Sequence, residues 1–65
     1  MRDPNRISRI LNLIATLWKN NPDMRLGQLL SNFAEFRGDP YYYEDDITEE
    51  KLRSWVEKIK RRETV

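Results

Sequence analysis

Residues 20–30 read NNPDMRLGQLL, and in this stretch we expect the chain to end one helix, turn, and begin another. Asparagine tolerates the left-handed backbone conformation that often ends a helix, and the residue before Pro22 is disfavoured in helical space. Asp23 can cap the segment that follows or bond its own backbone within the turn. The leucines of residues 26–30 already have helical spacing, so the turn should be short.

Residues 3–18, just upstream, have the pattern of an amphipathic helix. Asp3 and Pro4 form a start signal, because a carboxylate can cap the helix and proline suits its first position. From Ile7 to Trp18, large apolar residues recur at three- and four-residue steps and fall within an arc of about 120°. Leu13 and three arginines lie on a flank outside this arc, which we interpret as a solvated face. The arginines are Arg2, Arg6 and Arg9.

Downstream, the spacing predicts a second helix that runs past Phe33 to Phe36 and ends at the sequence RGDP of residues 37–40. We interpret Gly38 as the cap of this helix. Gly27 is unfavourable early in a helix, so we expect it to mark a close approach by another helix or by Trp18.

The third helix should begin at Thr48, an N-cap residue followed by two glutamates that the helix dipole favours. Tyr42-Tyr43 is β-favouring but short, and it could pair with Met24-Arg25 as a two-strand clasp or lie as a lid on the helices. The prediction is a single mainly α-helical domain over residues 1–65, a small three-helix domain with a possible minimal clasp and frayed residues 61–65. The expected core residues are Trp18, Leu26, Leu30, Phe33, Leu52, Trp55 and Ile59.

Composition excludes several kinds of chemistry. The 65 residues include no cysteine and no histidine, which removes disulfides, thiolate ligands and the commonest general base. Twelve basic and eleven acidic residues nearly balance, so bulk charge favours neither nucleic acid nor a membrane. We therefore expect a soluble cytoplasmic protein that is not an enzyme and has no catalytic residues, no cofactor and no metal.

Three groups of residues are candidates for binding. The acidic run of Glu44, Asp45 and Asp46, continued by Glu49 and Glu50, lacks the spacing of a calcium loop, and a solvated helix start is its simplest interpretation. Basic residues beside a tryptophan on the third helix could hold nucleic acid, with charges on phosphates and the ring on bases. Three consecutive tyrosines cannot all point inward, so at least one ring should face solvent or a partner. The basic group is Lys51, Lys58, Arg61 and Arg62 with Trp55.

The pattern W-x(3)-P-D-x-R-L-G-Q-L-L, followed later by Y-x-E-D-D, resembles a family of short uncharacterised bacterial and phage proteins. The first motif begins at Trp18 and the second occupies residues 42–46. The likeness covers most of the chain from Arg6 to about Leu52. It implies a bacterial or phage cytoplasm and no particular activity.

The leading functional hypothesis is a non-enzymatic protein-interaction or regulatory module, whose partner is another protein or a second copy of the chain. Its binding surface would lie where the tyrosines meet the helix corner, with an acidic rim that selects a basic partner. The alternative is a small nucleic-acid-binding protein that uses the basic edge of the third helix. The residues of the protein-binding hypothesis are Tyr41, Tyr42, Tyr43, Glu44, Asp45, Asp46, Arg25 and Arg37.

Overall fold

The first helix, α1, spans Asn5–Asn20 and both of its ends are closed by side chains near the predicted positions. An Asp3 carboxylate oxygen accepts a hydrogen bond of 2.9 Å from the Asn5 N–H, as a capping residue does. At the other end, the amide group of Asn20 donates to the Thr16 carbonyl and that of Asn21 donates to the Leu17 carbonyl. The predicted turn after α1 is confirmed.

The computed structural model describes residues 2–63, with side chains through residue 61. After α1 come α2 at Leu26–Phe33, a single 3-10 turn at Pro40–Tyr42, and α3 at Asp45–Glu63. The predicted mainly α-helical fold with three helices is confirmed. Within the described residues, no helix is long and apolar enough to cross a membrane.

The two-strand clasp is wrong, because the described part of the chain contains no strand. Tyr42 belongs to the 3-10 turn, which Pro40 opens and which the Asp39 carboxylate caps by accepting from the Tyr41 N–H at 2.9 Å. This local capping outweighs the weak β preference of tyrosine.

α2 ends earlier than predicted, at Phe33 and not beyond Phe36. Glu35 takes the left-handed conformation with φ of 56°, a common way to end a helix, and it redirects the chain. Gly38 also has positive φ, 85°, but it lies in the turn that follows and does not cap the helix. The interpretation of Gly27 is wrong as well, since a Cβ built there would meet nothing within 4 Å.

α3 is longer than predicted at both ends. It begins at Asp45, so Thr48 lies inside it and its hydroxyl donates to the Glu44 carbonyl. Asp45 and Asp46 lie in the first turn, where their negative charges interact favourably with the helix dipole. The helix can therefore begin three residues before the expected start. The helix continues through Glu63, and residues 64 and 65 of the predicted frayed tail lie outside the described residues.

The core lies between the three helices and differs from the predicted set. Leu17, Leu29 and Leu52 are completely buried, one from each helix, and Ala34 and Val56 are buried beside them. Leu30, Phe33, Trp55 and Ile59 pack around this core as partly buried residues.

Trp18 and Leu26 were predicted to be core residues, and the structure contradicts this. Trp18 is 37% exposed and Leu26 is 45% exposed. For Trp18 the reason is the rotation of α1 about its axis: its buried face is centred near Leu17 and includes Leu13, which the sequence pattern placed outside the apolar arc. That rotation turns the flank with the three arginines toward α3. Leu26 is the first residue of α2, whose buried residue is Leu29.

Candidate interaction surface

The tyrosine segment projects two rings into solvent. Tyr41 is 83% exposed and Tyr42 is 78% exposed, and their rings meet edge to face with centroids 5.1 Å apart. The expectation that at least one tyrosine ring faces outward is thus met by two of them. We call these two residues the tyrosine pair.

The third tyrosine holds the segment in place. The Tyr43 hydroxyl donates to the Arg37 carbonyl at 2.8 Å and accepts from the Arg37 N–H at 2.7 Å, which closes the loop before it. Its ring packs against Phe36 with centroids 5.0 Å apart. Tyr43 is therefore half-buried, and it fixes the base of the turn that carries the tyrosine pair.

The acidic run pairs with arginines in α1 and just before it. Arg2 lies 3.1 Å from Glu44, and Arg6 lies 2.7 Å from Asp45. Asp46 accepts at Oδ1 from the Ile47 N–H. The prediction of a solvated flank on α1 therefore holds only in part: the Arg2 and Arg9 side chains are 67% and 47% exposed, whereas Arg6 is 26% exposed. Two of the three carboxylates of the proposed acidic rim already have arginine partners within the chain.

Glu49 forms the centre of this charged contact. Arg9 reaches it with two nitrogens, Nε at 2.9 Å from Oε2 and Nη2 at 3.2 Å from Oε1, and Arg53 bonds the same carboxylate from within α3. Glu49 is only 6% exposed. Because the Arg9 hydrogen bonds favour the ionised form, the pKa of Glu49 lies below its ordinary value of 4.5, and the pKa of Arg9 is raised.

A groove of about 690 Å³ runs along this contact, lined by Arg9, Glu49 and five further residues of α3. A carboxylic acid that transfers protons near neutral pH needs a raised pKa, whereas Glu49 is held ionised. Among the described residues, no group of three or more carboxylates is arranged to hold a metal ion. The arrangement suits a structural ion-pair network between α1 and α3.

The basic edge of α3 is only partly available for phosphates. Lys51 lies 3.6 Å from Glu35, and Lys58 lies over the Trp55 ring, 4.3 Å from its centroid. Trp55 is half-buried and packs edge to face on Phe33. Arg61 also has an interaction within the chain, and the Arg62 side chain lies outside the described residues.

The protein-binding hypothesis also includes Arg25 and Arg37, and the backbone groups of both make hydrogen bonds within the chain. The Arg25 N–H donates to the Gln28 side chain at 3.2 Å, which closes the start of α2. Arg37 provides the N–H and carbonyl that hold Tyr43. The structure thus brings the tyrosine pair to the surface without assembling the full set of predicted residues around it.

Sequence reasoning missed a second exposed feature, on α1. Ile7 and Leu11 are more than half exposed, although both lie in the apolar arc that was expected to be buried. The signal was present in the sequence, because seven large apolar residues between positions 7 and 18 cover more of the helix than one small core can bury.

Comparison with known proteins adds no assignment: no family model, no curated protein and no solved structure matches the chain.

Proposed function

We propose that the chain is a non-enzymatic protein-interaction module and that the tyrosine pair is its main contact with another protein. The observation that carries this proposal is the exposure of two adjacent rings, at 83% and 78%, on a turn that is fixed from both sides. Tyrosine is enriched where protein interfaces concentrate their binding energy.

The rigidity of the turn supports the proposal. Asp39 caps the turn at one end and Tyr43 anchors it at the other, so the backbone beneath the rings is already ordered. Ordering a loop and its side chains upon binding costs free energy, and a fixed turn with two-angle tyrosine side chains avoids most of that cost.

The charges beside the tyrosine pair favour a basic partner. Glu44 is next to Tyr43 in sequence, and its ion pair with Arg2 is more than half exposed on both sides. An exposed ion pair of this kind stabilises by only about 0–1 kcal/mol, so a basic side chain of a partner can compete for Glu44 at little cost. The partner we propose is a protein with a basic, partly apolar surface.

The test is a pull-down with Tyr41→Ser/Tyr42→Ser beside the wild-type chain, using a bacterial lysate because of the motif resemblance. We expect the double variant to melt at nearly the same temperature, since both rings are exposed, and to lose the proteins that the wild type captures. Ile47→Ser is the matched control, because Ile47 is an exposed apolar residue of α3 outside the turn, and it should retain the captured proteins. Tyr43→Phe removes the anchor of the turn, so it should lower the free energy of unfolding by about 1 kcal/mol and weaken the capture.

Nuclease treatment separates this proposal from nucleic-acid binding. Capture that survives nuclease and disappears with the tyrosine pair supports a protein partner. Capture that depends on nucleic acid, and that Lys51→Gln/Lys58→Gln removes while the tyrosine variant retains it, would contradict the proposal.

A further inference from the structure

One face of α1 carries apolar side chains that the described residues leave partly exposed. Ile7 is 54% exposed, Leu11 is 58% exposed and Trp18 is 37% exposed, with half-buried Ile14 between them. Their steps of four, three and four residues place them on one line along the helix, about 17 Å long. We call these four residues the α1 strip.

The sequence around the middle of the α1 strip has no charged residue. From Ile10 to Trp18 the sequence contains no charged residue, in a chain where 35% of all residues are charged. Ser8, Asn12 and Ala15 are exposed on this side of the helix. A solvated helix face normally carries charged residues, whereas depletion of charge marks the centre of a protein interface.

The accessible surface of the chain is larger than that of a compact monomer of its size. It is 5383 Å², while a compact monomer of 7.9 kDa exposes about 4,400 Å². The elongated shape, 40 Å by 24 Å by 16 Å, accounts for part of this difference of about 1,000 Å². The remainder leaves room for a contact smaller than the roughly 800 Å² that each partner buries in a standard interface, as expected for a single pair of helices.

We propose that the α1 strip is the contact surface of a two-fold homodimer, in which α1 of one copy packs antiparallel against α1 of the other. The strip is complementary to itself in this orientation, because Trp18 then lies opposite the smaller Ile7 and Leu11 lies opposite Ile14. Ala15 and Ser8 at the side of the strip are small, so the two helices can approach closely.

Charge favours the antiparallel orientation over the parallel one. In the antiparallel pair the two helix dipoles oppose each other, which is the more favourable electrostatic arrangement. A parallel pair would place the two Trp18 side chains together and align the dipoles. The proposal does not rest on the tyrosine pair, which lies in a different segment of the chain.

The first test is sedimentation of the full chain over concentrations from micromolar to millimolar. We expect the wild type to change from monomer to dimer as concentration rises, because one helix pair forms a small interface. Leu11→Glu should weaken association by more than about tenfold, since it places a charge at the interface centre. Circular dichroism should show unchanged helix content, because Leu11 is exposed and glutamate is a good helix former.

Ile47→Glu is the matched control, because Ile47 is 49% exposed but belongs to α3. This variant should dimerise like the wild type, and so should Tyr41→Ser/Tyr42→Ser. A wild type that stays monomeric at every concentration, or a Leu11→Glu variant that dimerises normally, would overturn the proposal. Loss of a captured foreign protein in Leu11→Glu with a monomeric wild type would assign the strip to that protein instead.

The second test determines the relative orientation of the two α1 helices by disulfide cross-linking. Because the chain has no cysteine of its own, only the introduced cysteines can react. In the antiparallel pair, residue 8 of one copy lies beside residue 15 of the other. A mixture of Ser8→Cys and Ala15→Cys chains should therefore form more disulfide-linked dimer than either variant alone. Equal cross-linking within the single variants and in the mixture would contradict the antiparallel arrangement.

Discussion

Glu49 illustrates how one residue can join two helices. It is the only buried charged residue in the described part of the chain, and its carboxylate bonds to guanidinium groups from α1 and from α3. A buried charge is tolerated only when it is paired, because an unpaired one loses its hydration without compensation. Glu49 therefore specifies the position of α1 on α3 more than it adds to stability.

At this scale we predict the pH dependence of folding. The pKa of Glu49 is lowered in the folded chain, first by its hydrogen bonds to Arg9, so its stabilisation is present above about 4.5 and is lost as the pH falls through the folded pKa. The Asn5 N–H lowers the pKa of Asp3, and its contribution has the same sign. Glu49→Gln should melt at a lower temperature at neutral pH and show a smaller loss on acidification, measured by thermal melts across the acidic range.

Glu50→Gln is the control for this prediction, since Glu50 is its exposed neighbour on the same helix. Its melting temperature should follow the wild-type curve at every pH. A Glu49→Gln variant whose pH profile parallels the wild type would mean that the ion pair with Arg9 does not carry the acid sensitivity.

At the scale of the element, α2 is the weakest of the three helices. It has only eight residues, one of them Gly27, and glycine inside a helix costs about 1 kcal/mol relative to alanine. No side chain or backbone lies close enough to require glycine at this position. The helix therefore depends on its packed residues, with Leu29 at the centre.

Replacing Gly27 or Gly38 with alanine should have opposite effects on stability. Gly27→Ala should raise the free energy of unfolding by about 0.5–1 kcal/mol, because space is open and alanine favours the helix. Gly38→Ala should lower it by about 1 kcal/mol, because φ of 85° is unfavourable for any residue with a Cβ. Urea denaturation of the two variants checks both values, and two shifts of the same sign would contradict the backbone argument.

The helix boundaries show what a sequence pattern can predict at this scale. The end of α1 was predictable because Asn20, Asn21 and Pro22 all favour it locally. The start of α3 was not predictable, since both Asp45 and Thr48 are residue types that favour the start of a helix. Asp45 pairs with Arg6, 39 residues away, and no local pattern shows which distant segments meet.

The whole molecule depends on a narrow core. Among the described residues only three large side chains are completely buried, one from each helix, and the α1 strip and the tyrosine pair lie outside this core. The exposed tyrosines could be predicted because three consecutive rings cannot all point inward. The pairing of Glu44 and Asp45 with Arg2 and Arg6 could not be predicted, because it follows from the rotation of α1 in the assembled fold.

Three leucines of α2 give a graded test of this core. Leu29 is completely buried, Leu30 is half-buried and Leu26 is 45% exposed. Leu29→Ala should cost about 2–5 kcal/mol, Leu30→Ala about 1–2 kcal/mol, and Leu26→Ala less than about 1 kcal/mol. Urea denaturation of the three variants gives the order directly. An equal loss of stability at all three positions would contradict the observed orientation of α2, in which Leu29 faces the core.

The contact between α1 and α3 also has a kinetic consequence. The ion pairs that join these helices link residues 39 and 40 positions apart, so the two segments must find each other across more than half of the chain. Contacts of such long sequence separation slow folding, because the entropy of closing the loop is lost before the contacts form. During synthesis α1 is made first and cannot bury Leu17 until α3 has followed. For that interval α1 behaves as an unprotected amphipathic segment, and α3 acts toward it as a binding partner that arrives last on the same chain.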